Sequence, residues 1–363
     1  MEDMVGRDFW AGRRVLVTGH TGFKGAWLCL WLQRLGAQVS GFSLPGGHWR
    51  DAPAELPLPE LAEDLRGDLR DSGAVAAAVS ATRPEVVFHL AAQSLVRPSY
   101  ADPLGTLAVN VMGTAHVLEA VRRAGGVRAV LVVTSDKCYE NREWVWPYRE
   151  SDPLGGRDPY SGSKACAEIV AGIYGRSFFP EEDWAGHGVA LATARAGNVI
   201  GGGDWSADRL LPDLVRAALA GRPAALRAPQ SVRPWQHVLD PLAGYLLLAR
   251  RLVEDGPRFA AAWNFGPEDG HARTVGWLAD QFVRQWDSAP GWRCEGGDGL
   301  HEAGLLRLDS SRARMVLGWR PRLSPEEGVA WAADWYRRAC GEPGRAGEIA
   351  LRQIEAYGRD ASL

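Results

Sequence analysis

Arg13-Arg14-Val15-Leu16-Val17-Thr18-Gly19-His20-Thr21-Gly22-Phe23-Lys24-Gly25 is the stretch whose reading decides the fold. Val15 to Thr18 are apolar or β-branched, as a buried strand requires, and the run ends on glycines spaced G-x-x-G-x-x-G. The following segment, 25–35, carries Ala26, Leu28, Leu30, Trp31, Leu32 and Leu35, a broad apolar face for a helix lying on a sheet. Glycines at such a strand-to-helix turn let the backbone approach a diphosphate closely. The helix start then supplies oriented N–H groups and positive potential. Lys24 reads either as an added charge for the phosphate or as a solvated first-turn lysine.

Outward from that turn, strands are predicted at 37–42, 85–90, 127–134 and 188–195, with helical stretches near 72–81 and 106–124. Strands alternating with helices imply crossovers and parallel pairing, hence an α/β fold with a doubly wound (Rossmann) sheet. After Gly197 the texture breaks into short elements around Gly201 to Gly203, the Pro-rich 223–234 and the Gly-rich 291–299. A smaller mixed α/β lobe is expected there, made of 196–236 and 266–355. The dinucleotide lobe is expected to take 1–195, with 237–265 returning to it. The helix that ends the chain should begin at Ser324, followed by Pro325 and by Glu327 at the capping-box position.

Composition narrows the class. The 363 residues include 41 Lys plus Arg against 44 Asp plus Glu, a net charge of −3, so no single-sign field argues for nucleic acid or an anionic membrane. The polar start is no signal peptide, and the apolar run at 243–249 is too short for a bilayer. Five cysteines without a C-x-x-C pair suit a reducing cytoplasm, and no His/Cys cluster has metal spacing.

Tyr160-Ser161-Gly162-Ser163-Lys164 is a Y-x-x-x-K. On a helix these two side chains share a face, and a nearby ammonium favours phenolate, so Lys164 is expected to lower the pKa of Tyr160. Ser135 and Asp136 stand at the end of an apolar strand, where α/β sheets place their sites. The serine can donate to the hydroxyl that Tyr160 deprotonates. A carboxyl withdrawn from water can stay protonated and act as a general acid. The second predicted strand ends Val39-Ser40-Gly41-Phe42-Ser43, with neither the acid nor the arginine that would distinguish NAD from NADP. Asp68 reads either as a partner for adenine or as an acid opening a helix. His89 reads as a satisfied core histidine, and most of the 16 tryptophans as packing, with Trp144 and Trp146 as candidate sugar contacts.

The glycine run, FHLAAQ at 88–93, the strand-end serine and Y-x-x-x-K together resemble the extended short-chain dehydrogenase/reductase superfamily and its nucleotide-sugar members. TSDKCYENREW (134–144), ARAGNVIGGGDW (194–205), RPWQH (233–237) and WNFGP (263–267) resemble the CDP-glucose 4,6-dehydratases. The resemblance implies NAD as cofactor, CDP-glucose as substrate, and a homodimer or homotetramer with helices at the interface. It implies cofactor contacts from Gly19, His20, Gly22, Phe23, Lys24, Gly25, Asp68, Leu69, Ala91 and Ala92, together with Tyr160 and Lys164. Substrate contacts are implied for Gln93, Asn198, Arg209, Arg233 and His237, and chemistry for Ser135, Asp136, Lys137, Tyr160 and Lys164. Lys137 stands where many such dehydratases carry a glutamate acting at C5, so it serves there as a neutral base or as a cation beside the enolate. A 4-epimerase on the same fold would need the tyrosine, lysine and serine but no acid. A non-catalytic dinucleotide sensor would need none of them.

Overall fold

The computed structural model describes residues 6–46, 52–268, 270–286, 289–296 and 303–359. Arg14–Thr18 (β1), Gln38–Ser43 (β2), Glu63–Arg66 (β3), Val86–His89 (β4), Ala129–Val133 (β5), Ala190–Ala196 (β6) and Ala262–Phe265 (β7) form one parallel sheet. Their spatial order is β7-β6-β5-β4-β1-β2-β3. β4, β5 and β6 are buried along their whole length, and mostly apolar, because both faces of the sheet are covered. The order reverses between β1 and β4, and ligand crevices open beyond the strand C-termini at such a switch.

One face of the sheet is covered by helices Phe23–Arg34 and Leu239–Asp255, whose Trp27, Trp31, Leu242 and Leu246 join a core with Trp10, Trp263, Trp319 and Trp335. The other face packs against Ser72–Thr82, Gly113–Ala124 and Pro159–Ser177. Helical backbone runs without a break from Pro103 to Ala124, widening to a π turn at Ala108–Met112. By length and mean hydropathy (1.3) this helix is long enough to cross a membrane, which counting apolar runs in the sequence overlooked. Its Thr106, Asn110, Thr114, Val117 and Val121 are buried against the neighbouring helices.

The remaining described elements are short. Val199–Ile200 pairs with Gln236–His237, Ala224–Leu226 with Trp292–Cys294, and Val232–Arg233 with Arg273–Thr274. Helices Leu210–Leu219, Val275–Gln285 and Pro325–Gly341 pack beside them. Ser324 does form the predicted capping box with Glu327. That helix does not end the chain, however. A further helix, Ala346–Arg359, folds back so that Tyr357 reaches Asp240, a return that no local signal at 341–346 announces.

Candidate active site

Three glycines shape the turn after β1. Gly19 has φ of +76°, and a Cβ there would stand 2.7 Å from the backbone nitrogen of Ala91. A Cβ on Gly25 would sit 2.1 Å from the carbonyl oxygen of Gly19. Gly22 is the N-cap of Phe23–Arg34 and offers no side-chain cap, so first-turn N–H groups stay open to a ligand. This cradle fits a dinucleotide diphosphate, with Ala91 and Ala92 at the end of the adjacent strand.

Around it the polar groups are used internally. Thr114 donates to the Asn110 carbonyl (2.7 Å), so its oxygen accepts from His89 Nε2 (3.2 Å). His89 Nδ1 therefore accepts from the Thr18 hydroxyl (2.7 Å). Burial lowers the His89 pKa to about 3, which keeps this ring neutral and satisfied. The Asn110 side chain, at the π turn, accepts from Gln93 N–H (2.8 Å) and donates to the Gln93 carbonyl and to Ser163 Oγ. It ties the loop after β4 to the tyrosine helix; such π turns often mark functional sites.

The side chains of two expected contacts take internal partners in this region. His20 is fully buried, with its ring between Ser43 Oγ (3.0 Å) and Asp64 (3.0 Å), so only its backbone can meet a cofactor. A Cβ on Gly41 would collide with that ring at 2.3 Å, which explains the glycine in β2. Gln93 spends its amide on Leu95 and Thr106 within its own loop and does not line the cavity. Asp68 holds Arg70 (2.6 Å) on the partly exposed edge after β3, with Leu69 buried behind it.

A cavity of about 360 Å³ opens beyond β5 and β6, lined by Lys24, Ser135, Asp136, Lys137, Tyr160, Asn198, Arg209 and Arg233. His237 is not among its walls. It is buried between Trp27 and Trp331, and burial drops its pKa to about 3, so the histidine of RPWQH packs rather than binds.

Ser135 caps the short turn Asp136–Cys138 by accepting from Lys137 N–H (3.2 Å), and its hydroxyl donates to Asp136 Oδ1 (3.1 Å). It also reaches the Tyr160 phenol. Asp136 is 3 % exposed and its Oδ2 has no partner. Burial pushes this carboxyl above its ordinary value, against the pull of Lys137, Ser135 and Arg233. Tyr160 opens the helix Pro159–Ser177, capped by Asp158, and its N–H donates to Ser99 Oγ (3.1 Å).

Lys164 is not among the leading influences on the Tyr160 phenol. Burial raises the phenol to about 12, and the groups that draw it down are Ser135 and Arg209. Lys164 Nζ instead donates to the Val133 carbonyl (3.1 Å), and burial lowers it to about 8. Lys24 faces the cavity rather than solvent. Burial, then Arg209 and Lys164, lower it to about 7.

The sequence reading missed the polar network under the site. Glu168 and Arg195 form a buried ion pair (2.8 Å), and Thr193 donates to the same carboxylate. Arg195 donates to the Tyr139 hydroxyl (2.8 Å), which donates on to Asn264 (2.7 Å). An Arg inside the apolar β6 and a Glu four residues after Lys164 were the available signals. Trp144 and Trp146 do not line the cavity; Trp144 stacks on Tyr148 instead.

The model of the NAD dependent epimerase/dehydratase family matches residues 15–265. The chain belongs to that family. Within this NAD dependent family, it is 48% identical over 340 residues to a CDP-glucose 4,6-dehydratase of Salmonella typhimurium, covering 92% of this chain and 93% of the relative. Among solved family structures, the UDP-glucose 4-epimerase of Thermus thermophilus, in complex with NAD, superposes with a TM-score of 0.77 at 27% identity, over 90% of this chain and 99% of that one. The dTDP-glucose 4,6-dehydratase of Streptomyces venezuelae, solved with NAD bound, gives 0.73 at 28% identity, over 91% and 99%.

Proposed function

We propose that this chain dehydrates CDP-D-glucose to CDP-4-dehydro-6-deoxy-D-glucose. The observation that carries the reading is the buried, unpartnered Asp136 Oδ2 held beside Ser135 and Tyr160 in one cavity. A 4-epimerase has no use for such an acid, whereas expulsion of a 6-hydroxyl needs a proton donor. The 48% identity to a CDP-glucose dehydratase supports the same choice.

NAD, when bound, would supply the hydride acceptor for C4 and later the hydride for C6, with a proton returned to C5. Tyr160 takes the proton of the sugar 4-hydroxyl, with Ser135 holding that oxygen. The 4-ketone so formed acidifies C5–H, and Asp136 protonates the departing 6-hydroxyl as water leaves across C5 and C6. Lys137 lines the same cavity, as a base if neutral or as a cation beside the enolate. Arg209 and Arg233 offer guanidinium groups to the substrate diphosphate. Asn198, at the strand end of the same wall, is proposed as a sugar or diphosphate contact.

Two copies are proposed to pair through the exposed apolar faces of adjacent helices. Leu104, Leu107 and Met112 lie on one, and Ile169 and Ile173 on the other. All five cysteines are free thiols, in keeping with a cytoplasmic setting. Mass spectrometry after incubation with CDP-, dTDP-, UDP- and GDP-glucose tests the reaction. Loss of water from CDP-glucose is expected, and a C4 epimer of unchanged mass would replace this reading with the epimerase.

A further inference from the structure

The cavity wall carries a charged pair that the dehydration chemistry does not use. Asp208 has φ of +59°, a left-handed conformation that non-glycine residues adopt sparingly and that clusters at functional sites. Its side chain and that of Arg209 diverge. Arg209 is held by Asp204 (3.1 Å) and Ser94 (3.3 Å) and bears on Tyr160. Asp208 takes Arg227 (3.1 Å), the residue after strand Ala224–Leu226, and Arg97 (3.5 Å) from the segment following β4. Asp208, Arg227 and Arg97 all line the cavity, with Leu226 and Val275 adding apolar surface.

We infer that Asp208 and Arg227 read the nucleobase of the substrate and select cytosine over uracil and thymine. The inference rests on the dehydratase reading and deepens it. An ionised carboxylate only accepts hydrogen bonds and a guanidinium only donates. With one carboxylate oxygen and two guanidinium N–H groups turned to a base, the pair would offer acceptor, donor, donor. The pairing edge of cytosine is the complement: the N4 amine donates, and N3 and O2 accept. Uracil and thymine oppose that pattern at two of three positions, setting O4 against the carboxylate and N3–H against the guanidinium. A site built to hydrogen-bond a group rejects the analogue lacking it steeply, because its own polar groups are left unpaired. The carboxylate has lone pairs enough to keep Arg97 and still accept the amine, so the Arg97 contact fixes its aim.

The test is Asp208→Asn, with Arg227→Gln as the second variant, assayed as kcat/KM for CDP-glucose and for UDP-glucose. An asparagine can turn its NH2 toward O4, so the CDP-over-UDP ratio should fall by about tenfold or more. Titration calorimetry with CMP and UMP should show the same loss of preference without turnover. Equal losses for both nucleotides, with the ratio kept, would overturn the inference, as would a wild-type protein that takes UDP-glucose as readily as CDP-glucose. Failure of the dehydratase reading looks different: no nucleotide-glucose loses water, while the CMP and UMP titrations still report on the pair.

Discussion

The hydroxyl of Ser135 donates to one oxygen of the Asp136 carboxyl at 3.1 Å and leaves the other, buried and unpartnered, to the cavity. In the proposed dehydration, that division orients the acid while keeping one oxygen for a leaving group. Asp136→Asn should cost elimination about 10²–10⁴-fold while oxidation at C4 survives. Mass spectrometry should then find a nucleotide sugar lighter by two hydrogens in place of the dehydrated product. Because burial holds the carboxyl above its ordinary range, wild-type elimination should fade as rising pH ionises it. An unaltered overall rate in the variant would remove Asp136 from this role.

Tyr160→Phe removes the phenol but keeps its ring in a buried wall. Turnover should drop about 10²–10⁴-fold, the range for losing a general base, with the melting temperature nearly unchanged. Retention of most activity would assign the proton transfer to another group.

Glu168 and Arg195 have side chains only 3 % and 4 % exposed, so removing one partner strands a buried charge. Glu168→Gln should destabilise the fold by about 3–5 kcal/mol in urea titrations. Replacing both with apolar residues should recover much of that loss, because no lone charge remains. A single variant as stable as the wild type would contradict the network described here.

Asp240 ties the last helix to the core: its Oδ1 accepts from the Tyr357 hydroxyl (2.8 Å) and the Arg322 N–H (2.7 Å). Burial raises its pKa from 3.8 to about 7. Between those values the unfolded chain sheds this proton and the folded chain keeps it, so this group makes folding less favourable as pH climbs, with no further change above about 7. Asp240→Asn should therefore gain stability relative to wild type as calorimetry moves from pH 4 toward 7. A difference in melting temperature that stays flat across that range would exclude the carboxyl as its source.

Ile169 is half exposed in an apolar helix face. Ile169→Glu together with Leu107→Glu should convert a dimer to monomers in light scattering, since charge placed in an apolar contact is costly to desolvate. A wild-type monomer would dismiss the paired-helix arrangement.

Local pattern was enough for the strands β1, β2, β4, β5 and β6, because a buried parallel strand is rich in apolar and β-branched residues. It was not enough for β3, whose Glu63-Asp64-Leu65-Arg66 is polar at a sheet edge, nor for the final helix. The serine, acid and tyrosine were legible for a related reason: each sits where a strand ends or a helix begins, and such positions are marked in the sequence by turn and cap residues. For Gln93, His20 and His237 the sequence did not show where the side chain turns, because that direction depends on neighbours distant in sequence. His20 turns to Asp64, and His237 lies between two tryptophans.

The sequence by itself determined the parallel α/β sheet, the glycine turn shaped to fit a diphosphate, and the residue types proposed for proton transfer, since periodicity and spacing are local properties. Tertiary structure alone decided the electrostatics. Desolvation and the groups that converge on a site belong to no segment, so only the folded chain shows Lys164 anchored to Val133. It alone shows the Tyr160 phenol pushed up by burial and Asp208 bridging two arginines far apart in the chain.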